Sequence, residues 1–201
     1  MTGVPPRSPV DAQRRAAFES LARTVMPDIR RFLRRRADPD MADDVLSDVL
    51  LVLWRRADEV EGLPPDVRLP WCYGVARGCL ANARRSAERR HRLWLRVVES
   101  PEARTAPGIG VEDVDPDGVL AAALVELPGG DQELLRLWAW EQLEPREIAV
   151  VLGITPNAAS IRLHRATGRL RNRLEKDRAA GGKSAGRAGH LPERQDREKP
   201  L

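Results

Sequence analysis

The chain of 201 residues is short of cysteine, of lysine and of long apolar runs. Two cysteines make no disulfide framework, which sets the expectation of a reducing, cytoplasmic environment. Cys72 and Cys79 lie seven apart on one helical face. Two thiols alone cannot complete a tetrahedral zinc site, and no histidine stands at ligand spacing. They read as small buried hydrophobes, with a redox pair as the alternative. No apolar run approaches the ~20 residues of a membrane span, and Met1–Arg7 lacks the apolar stretch of a secretory signal. A phosphate-binding glycine loop, a Gly-x-Ser-x-Gly elbow and a metal-binding cluster are all missing, so no catalytic residue, metal or cofactor is assigned. Of the 34 basic residues only Lys176, Lys183 and Lys199 are lysines. The rest are arginines, whose bidentate fork suits phosphate.

What the chain does have is 42% hydrophobic residues, enough for real cores and against wholesale disorder. Its length suits one large domain or two small ones. The net charge of +4 conceals strong segregation. Met41–Leu53 carries −3, Ala76–Arg96 +6, Glu99–Asp117 −5 and Thr155–Arg178 +5. Two basic blocks separated by an acidic one suggest two nucleic-acid-facing modules.

The pattern is all-α, with no useful strand alternation. A first helix is expected from about Val10 to Arg36, with Phe18, Leu21, Val25, Ile29 and Leu33 as its apolar stripe and a kink or break at Pro27. A second, about Met41 to Arg56, buries Val45, Leu46, Val49, Leu50 and Leu53. Asp44, Asp48, Leu51 and Arg55 share its outer face, which is wrong for DNA and suits a basic protein partner; a solvated face is the plainer alternative. Prolines make Glu61–Pro70 a loop, after which Trp71-Cys72-Tyr73 opens a helix running into Arg84-Arg85 and Arg89-Arg90. Aromatics beside arginines suit single-stranded nucleic acid, although Trp71 on its own reads first as a core anchor.

Farther on, Asp131 is a candidate N-cap for a helix bearing Leu134, Leu135, Leu137, Trp138 and Leu143. A short helix from Pro145 stops at Gly153, and Thr155-Pro156 starts another at once, with a hydroxyl N-cap and Pro at the first helical position. This is the helix-turn-helix layout. Ala159, Leu163, Ala166, Leu170 and Leu174 form the inward stripe. Asn157, Ser160, Ile161, His164 and Arg165 face outward, with Arg162, Arg169, Arg171 and Arg173 flanking, as in a helix that reads base edges and phosphates.

Ala42-Asp43-Asp44-Val45-Leu46-Ser47-Asp48-Val49-Leu50-Leu51-Val52-Leu53-Trp54-Arg55, then Leu69-Pro70-Trp71-Cys72-Tyr73-Gly74-Val75-Ala76-Arg77 and Asn82-Ala83-Arg84-Arg85, resembles domain 2 of the extracytoplasmic-function group of sigma-70 factors. Leu127-Pro128, Leu143–Ala149 and Leu152–Ala166 resemble domain 4 of the same family. Ser47 stands where that family usually has Gln, Gly78 where Asn is common and Asn82 where Asp is common. The resemblance implies docking on the core RNA polymerase β′ subunit through Asp43, Asp44, Asp48, Leu51 and Arg55. It implies reading and melting of a −10 element by Leu63, Arg68, Trp71, Tyr73, Arg77, Gly78, Asn82, Arg84, Arg85 and Arg89. A −35 element would be read by Thr155, Asn157, Ser160, Ile161, Arg162, His164, Arg165 and Arg169.

The implied organisation is a disordered 1–11, a polymerase-binding and −10 module over 12–96, an acidic linker over 97–116, a helix-turn-helix module over 117–176 and a disordered tail over 177–201. The linker would thread the polymerase's RNA path, its negative charge mimicking RNA. Partners so implied are the β′ and β subunits of core polymerase and promoter DNA, with an anti-sigma factor left open and no membrane insertion. Two other readings remain at this stage. One is a conventional helix-turn-helix regulator without the sigma role, which leaves the −3 face and the aromatic-basic helix unexplained. The other is a partner-binding helical protein that never touches DNA.

Overall fold

The computed structural model describes residues 9–97 and 118–185. Eight helices occupy them, and no strand occurs among the described residues. The first module holds α1 (Pro9–Arg34), α2 (Pro39–Arg55), the single turn α3 (Ala57–Glu61) and the long α4 (Pro65–Val97). The second holds α5 (Val119–Val125), α6 (Gly129–Ala139), α7 (Pro145–Leu152) and α8 (Pro156–Ala185).

The apolar stripes dictate the packing. Val25, Ile29, Phe32 and Leu33 of α1 meet Val45, Val49 and Leu53 of α2 and Cys72, Tyr73, Ala76 and Leu80 of α4, all buried. Phe32 and Tyr73 lie with ring centroids 5.1 Å apart, a pairing worth ~0.5–1.5 kcal/mol beyond area burial. The turn into α2 is set by Asp38, whose Oδ1 accepts from the Met41 amide at 2.9 Å, with Pro39 at the helix start.

The two modules are not independent bodies. Leu134, Leu137, Leu143, Ile148, Ala149 and Val151 of the second belong to the same buried cluster as the first module's core. The seam runs along α4 and α7, where a methyl group added at Gly74 would lie 3.4 Å from the Val151 carbonyl oxygen. A smaller cluster of Leu127, Leu135 and Ala166, flanked by Leu124, Leu163 and Leu170, fastens α5 and α6 to α8.

Four local expectations are corrected. Of the kink or break expected at Pro27, the break does not occur, since α1 runs through it. Its ring is on the exposed side, as is Arg23 four residues back, so water can serve the carbonyl it leaves unpaired while the apolar stripe holds the helix. The helix expected from Trp71 starts six residues earlier, with Pro65 at its first position and Pro70 still close to its N-terminus. Asp131 is not the cap of α6: Pro128 is, and Asp131 sits in the first turn beside the helix dipole. Finally, α8 continues to Ala185, into the stretch expected to be tail. Just before that stretch Arg173 pairs with Glu126 at 2.6 Å and with Asp177 one turn on at 3.3 Å. Residues 1–8, the acidic segment over 98–117 and the tail from 186 lie outside the described residues.

Candidate nucleic-acid and polymerase interfaces

On α2, burial of Val45, Leu46, Val49 and Leu53 turns Asp43, Asp44, Asp48, Leu51 and Arg55 outward together. None of these four charged groups has an ion-pair partner among the described residues. Leu51 is 48% exposed and Trp54 36%, the latter resting edge-on against Phe18 at 5.3 Å. An exposed apolar pair rimmed by unpaired carboxylates is the anatomy of a protein-binding patch.

The side chains assigned to α4 and its leading loop separate into three groups. Arg77, Gly78, Asn82, Arg85 and Arg89 are exposed. Asn82 accepts a hydrogen bond from Arg85, and Arg89 donates to Ser86 Oγ at 2.9 Å. Arg68 and Arg84 are instead tied to backbone. Arg68 donates to the Leu63 and Glu61 carbonyls at 3.0 and 2.6 Å, shaping the loop that carries the half-buried Leu63. Arg84 donates to the Arg36 carbonyl just past the end of α1. Trp71 is half-buried, with the Arg56 guanidinium 5.3 Å from its ring centre.

Tyr73 is corrected outright: at 2% exposure it is a core residue with no ring face left for a base. Burial pushes its hydroxyl well above the ordinary value, and the charges of Glu141 and Asp28 add to the shift. Of the thiols, Cys72 is buried and pushed up to about 12 by desolvation. Cys79 is half-buried and raised by desolvation and by the Asp48 charge.

The helix-turn-helix is built as its sequence chemistry requires. Glu144 and Glu147 form a reciprocal capping box at the start of α7, the Glu147 carboxylate accepting from the Glu144 amide at 2.7 Å. Gly153 adopts φ +64°, and the following Ile154 amide returns to the Ala149 carbonyl at 3.0 Å, closing the helix end. Thr155 Oγ1 accepts from the Ala158 amide at 3.2 Å. With Ala159 and Ala166 buried, Thr155, Asn157, Ser160, Ile161, Arg162, His164 and Arg165 are exposed. Arg169 is exposed too but committed, its Nε donating to Asp131 at 2.6 Å and so bracing α8 against α6.

Two features were beyond sequence reasoning. Arg77 of the first module and Arg162, Arg165 and Arg169 of the second line one cleft of about 480 Å³, together with Gly129, Gly130 and Asp131. Glu133 also lines that cleft, and its partner Arg36 crosses between modules. It is 3% exposed, donates to Glu141 at 2.7 Å and to Glu133 at 3.3 Å, and lies 3.7 Å from the Phe32 ring centre. Its partners stand 97 and 105 residues away, so no local pattern signals them.

An all-α chain with a capped helix-turn-helix, a second arginine-rich helix and an open acidic-apolar face defines a DNA-binding protein that also docks on another protein. Comparison with known proteins takes the class further. The family described as Sigma-70, region 4 matches residues 118–170. The chain is 31% identical over 162 residues to RNA polymerase sigma factor CarQ of Myxococcus xanthus, covering 79% of this chain and 89% of that protein. It is 30% identical over 165 residues to RNA polymerase sigma-E factor of Streptomyces avermitilis, covering 79% and 85%. The chain belongs to the sigma-70 family of RNA polymerase sigma factors, in its extracytoplasmic-function group. The all-α, two-domain architecture is likewise that of solved structures. These include CnrH in complex with the cytosolic domain of CnrY (TM-score 0.51, 24% identity, 83% of this chain and 95% of that one). Another is the sigma factor RpoE in complex with the anti-sigma factor NepR from Bartonella quintana (TM-score 0.53, 20% identity, 79% and 96%).

Proposed function

We propose that this sigma factor docks on the β′ and β subunits of core RNA polymerase in the cytoplasm, carries no catalysis of its own and directs initiation at promoters with −10 and −35 elements. The open face of Asp43, Asp44, Asp48, Leu51 and Arg55 on α2 meets the polymerase. Leu63, Trp71, Arg77, Gly78, Asn82, Arg85 and Arg89 engage the −10 strand, while Arg68 and Arg84 shape the backbone around them. Thr155, Asn157, Ser160, Ile161, Arg162, His164 and Arg165 read the −35 duplex, with Arg169 bracing that helix. The observation that carries this reading is the presence in one chain of the acidic-apolar α2 face and the capped helix-turn-helix. A regulator acting through the helix-turn-helix alone would have no use for the first. No helix of the described residues is long and apolar enough to cross a membrane. An anti-sigma factor is a further partner of the kind named for the structural neighbours.

The two reading faces lie close together, since Arg77 and Arg162 share a cleft. Elements centred about 25 base pairs apart are separated by ~85 Å of B-form DNA at ~3.4 Å per step. The arrangement described is therefore a closed form, and promoter engagement requires α4 and α7 to part. Run-off transcription with purified core polymerase tests the function. Promoter-specific transcripts are expected, and they should vanish in Arg162→Glu/Arg165→Glu. Retained duplex binding without any such transcript would overturn the reading.

A further inference from the structure

The arginines of α1 belong to neither basic block, yet three of them stand apart from all the others on that helix. Arg14 pairs with Asp58, Arg15 with Glu19 and Arg31 with Asp28, while just beyond the helix Arg35 pairs with Glu141 and Arg36 with Glu133 and Glu141. Arg23, Arg30 and Arg34 are exposed and have no hydrogen-bond or ion-pair partner among the described residues. Spacings of seven and four put them on one face. At ~1.5 Å per residue they form a ridge roughly 16 Å long. With Arg31 and Arg35 they surround a groove of about 630 Å³ that Met26 and Pro27 also line. A row of unpaired guanidinium groups suits the phosphate backbone of a single strand, with Met26 and Pro27 offering apolar surface to the sugars but no ring for a base to stack on.

The ridge also has a place in the fold. Arg84, in the arginine run of α4, donates to the Arg36 carbonyl just beyond α1, so the end of α1 abuts the exposed basic helix. This contact puts the C-terminal end of the ridge, at Arg34, near the arginine run of α4. Helix-dipole complementation accounts for Arg34, which is in the last turn, but not for Arg23 or Arg30 in the helix interior. Like charges at Arg30 and Arg34, one turn apart, work against the helix unless an anion lies over them.

We propose that Arg23, Arg30 and Arg34 form a third nucleic-acid contact, gripping the phosphate backbone of single-stranded nucleic acid that continues from α4. The polymerase is not needed for this contact. Its failure is thus separable from failure of the sigma reading, which run-off transcription tests.

The experiment uses the full chain and a fluorescently labelled 20-nucleotide single strand, with affinity read by anisotropy from 50 to 200 mM salt. Each phosphate contact adds about 0.7 to the slope of log affinity against log salt for single strands. Arg23→Gln/Arg30→Gln/Arg34→Gln should flatten the slope by about two. The matching triple lysine variant should restore most of it, because a phosphate contact needs charge more than the fork. Circular dichroism should show the same helix content in all three proteins, as expected for exposed positions. An unchanged slope in a folded glutamine variant would overturn the proposal and leave the ridge to an acidic protein surface. So would a lysine variant as flat as the glutamine one.

Discussion

Trp71 and Tyr73 stand two residues apart on α4 and differ in depth, Trp71 packing half-buried against the core and Tyr73 lying within it. The sequence offers both as base-stacking rings, because aromatic residues beside arginines look alike in one dimension. Contacts distant in sequence, such as that with Phe32 41 residues earlier, decide that Tyr73 is the one buried. Tyr73→Phe should therefore leave single-strand affinity unchanged and alter stability by less than ~1.5 kcal/mol, whereas Tyr73→Ala should cost about 3–5 kcal/mol in urea unfolding. Loss of strand binding in the phenylalanine variant would put the ring back at the nucleic acid. Cys72, beside it, gives a pH signature. Its thiol rises from 9.0 to about 12 on folding because burial disfavours the thiolate. With the folded value above the unfolded one, the contribution to stability is whole below pH 9 and disappears as pH climbs towards 12. Denaturant midpoints should fall between pH 8.5 and pH ~10.5 by more in the parent than in Cys72→Ala, with Tyr73 contributing at the upper end of the range. Equal falls in the two proteins would show that the thiol is hydrated in the native state.

At the level of elements, the helix-turn-helix was legible in the sequence almost residue by residue, because its determinants are local. Glu144 and Glu147 cap α7, Gly153 supplies the left-handed turn and Thr155 caps α8, all within twelve residues. The start of α4 was not, since Pro64, Pro65 and Pro70 read as loop until tertiary packing recruits Leu69 and Trp71 to the core. The same locality makes the turn sensitive. Thr155→Ala should cost ~1 kcal/mol through its cap. Gly153→Val should cost more, because a β-branched residue at φ +64° is strained whatever space surrounds it. Both should weaken −35 duplex binding without affecting single-strand binding by α4, measured on the two probes side by side. A Gly153→Val protein with undiminished duplex affinity would mean that the angle between α7 and α8 is set by Ala149 and Ala159 packing alone.

At the scale of the whole molecule, segregated charge points to two nucleic-acid-facing modules, and the structure packs those two domains over one core. The contacts that do so are the least visible in sequence, since each joins residues about a hundred positions apart. Arg36 is the most consequential. Glu141 is fully buried and Glu133 largely so, and both depend on this one guanidinium, with Arg35 assisting Glu141 at 3.6 Å. Arg36→Met would strand Glu141 in the seam. Removing one member of a buried pair costs about 3–5 kcal/mol, but here parting of α4 and α7 would rehydrate the carboxylates, so the penalty falls on the closed form alone. Even 3 kcal/mol shifts the closed-to-open ratio by more than a hundredfold. Small-angle scattering should then show a larger radius of gyration for Arg36→Met, with helix content retained. Replacing Glu141 as well removes the fully buried charge and leaves only Glu133, which at 18% exposure still reaches water, so Arg36→Met/Glu141→Leu should return to the compact radius. A single variant as compact as the parent would show that the apolar seam at Gly74 and Val151 holds the modules closed without the ion pairs. If the open form is the one that engages polymerase, Arg36→Met should also start promoter-specific transcription at lower concentration than the parent, and the double variant should not.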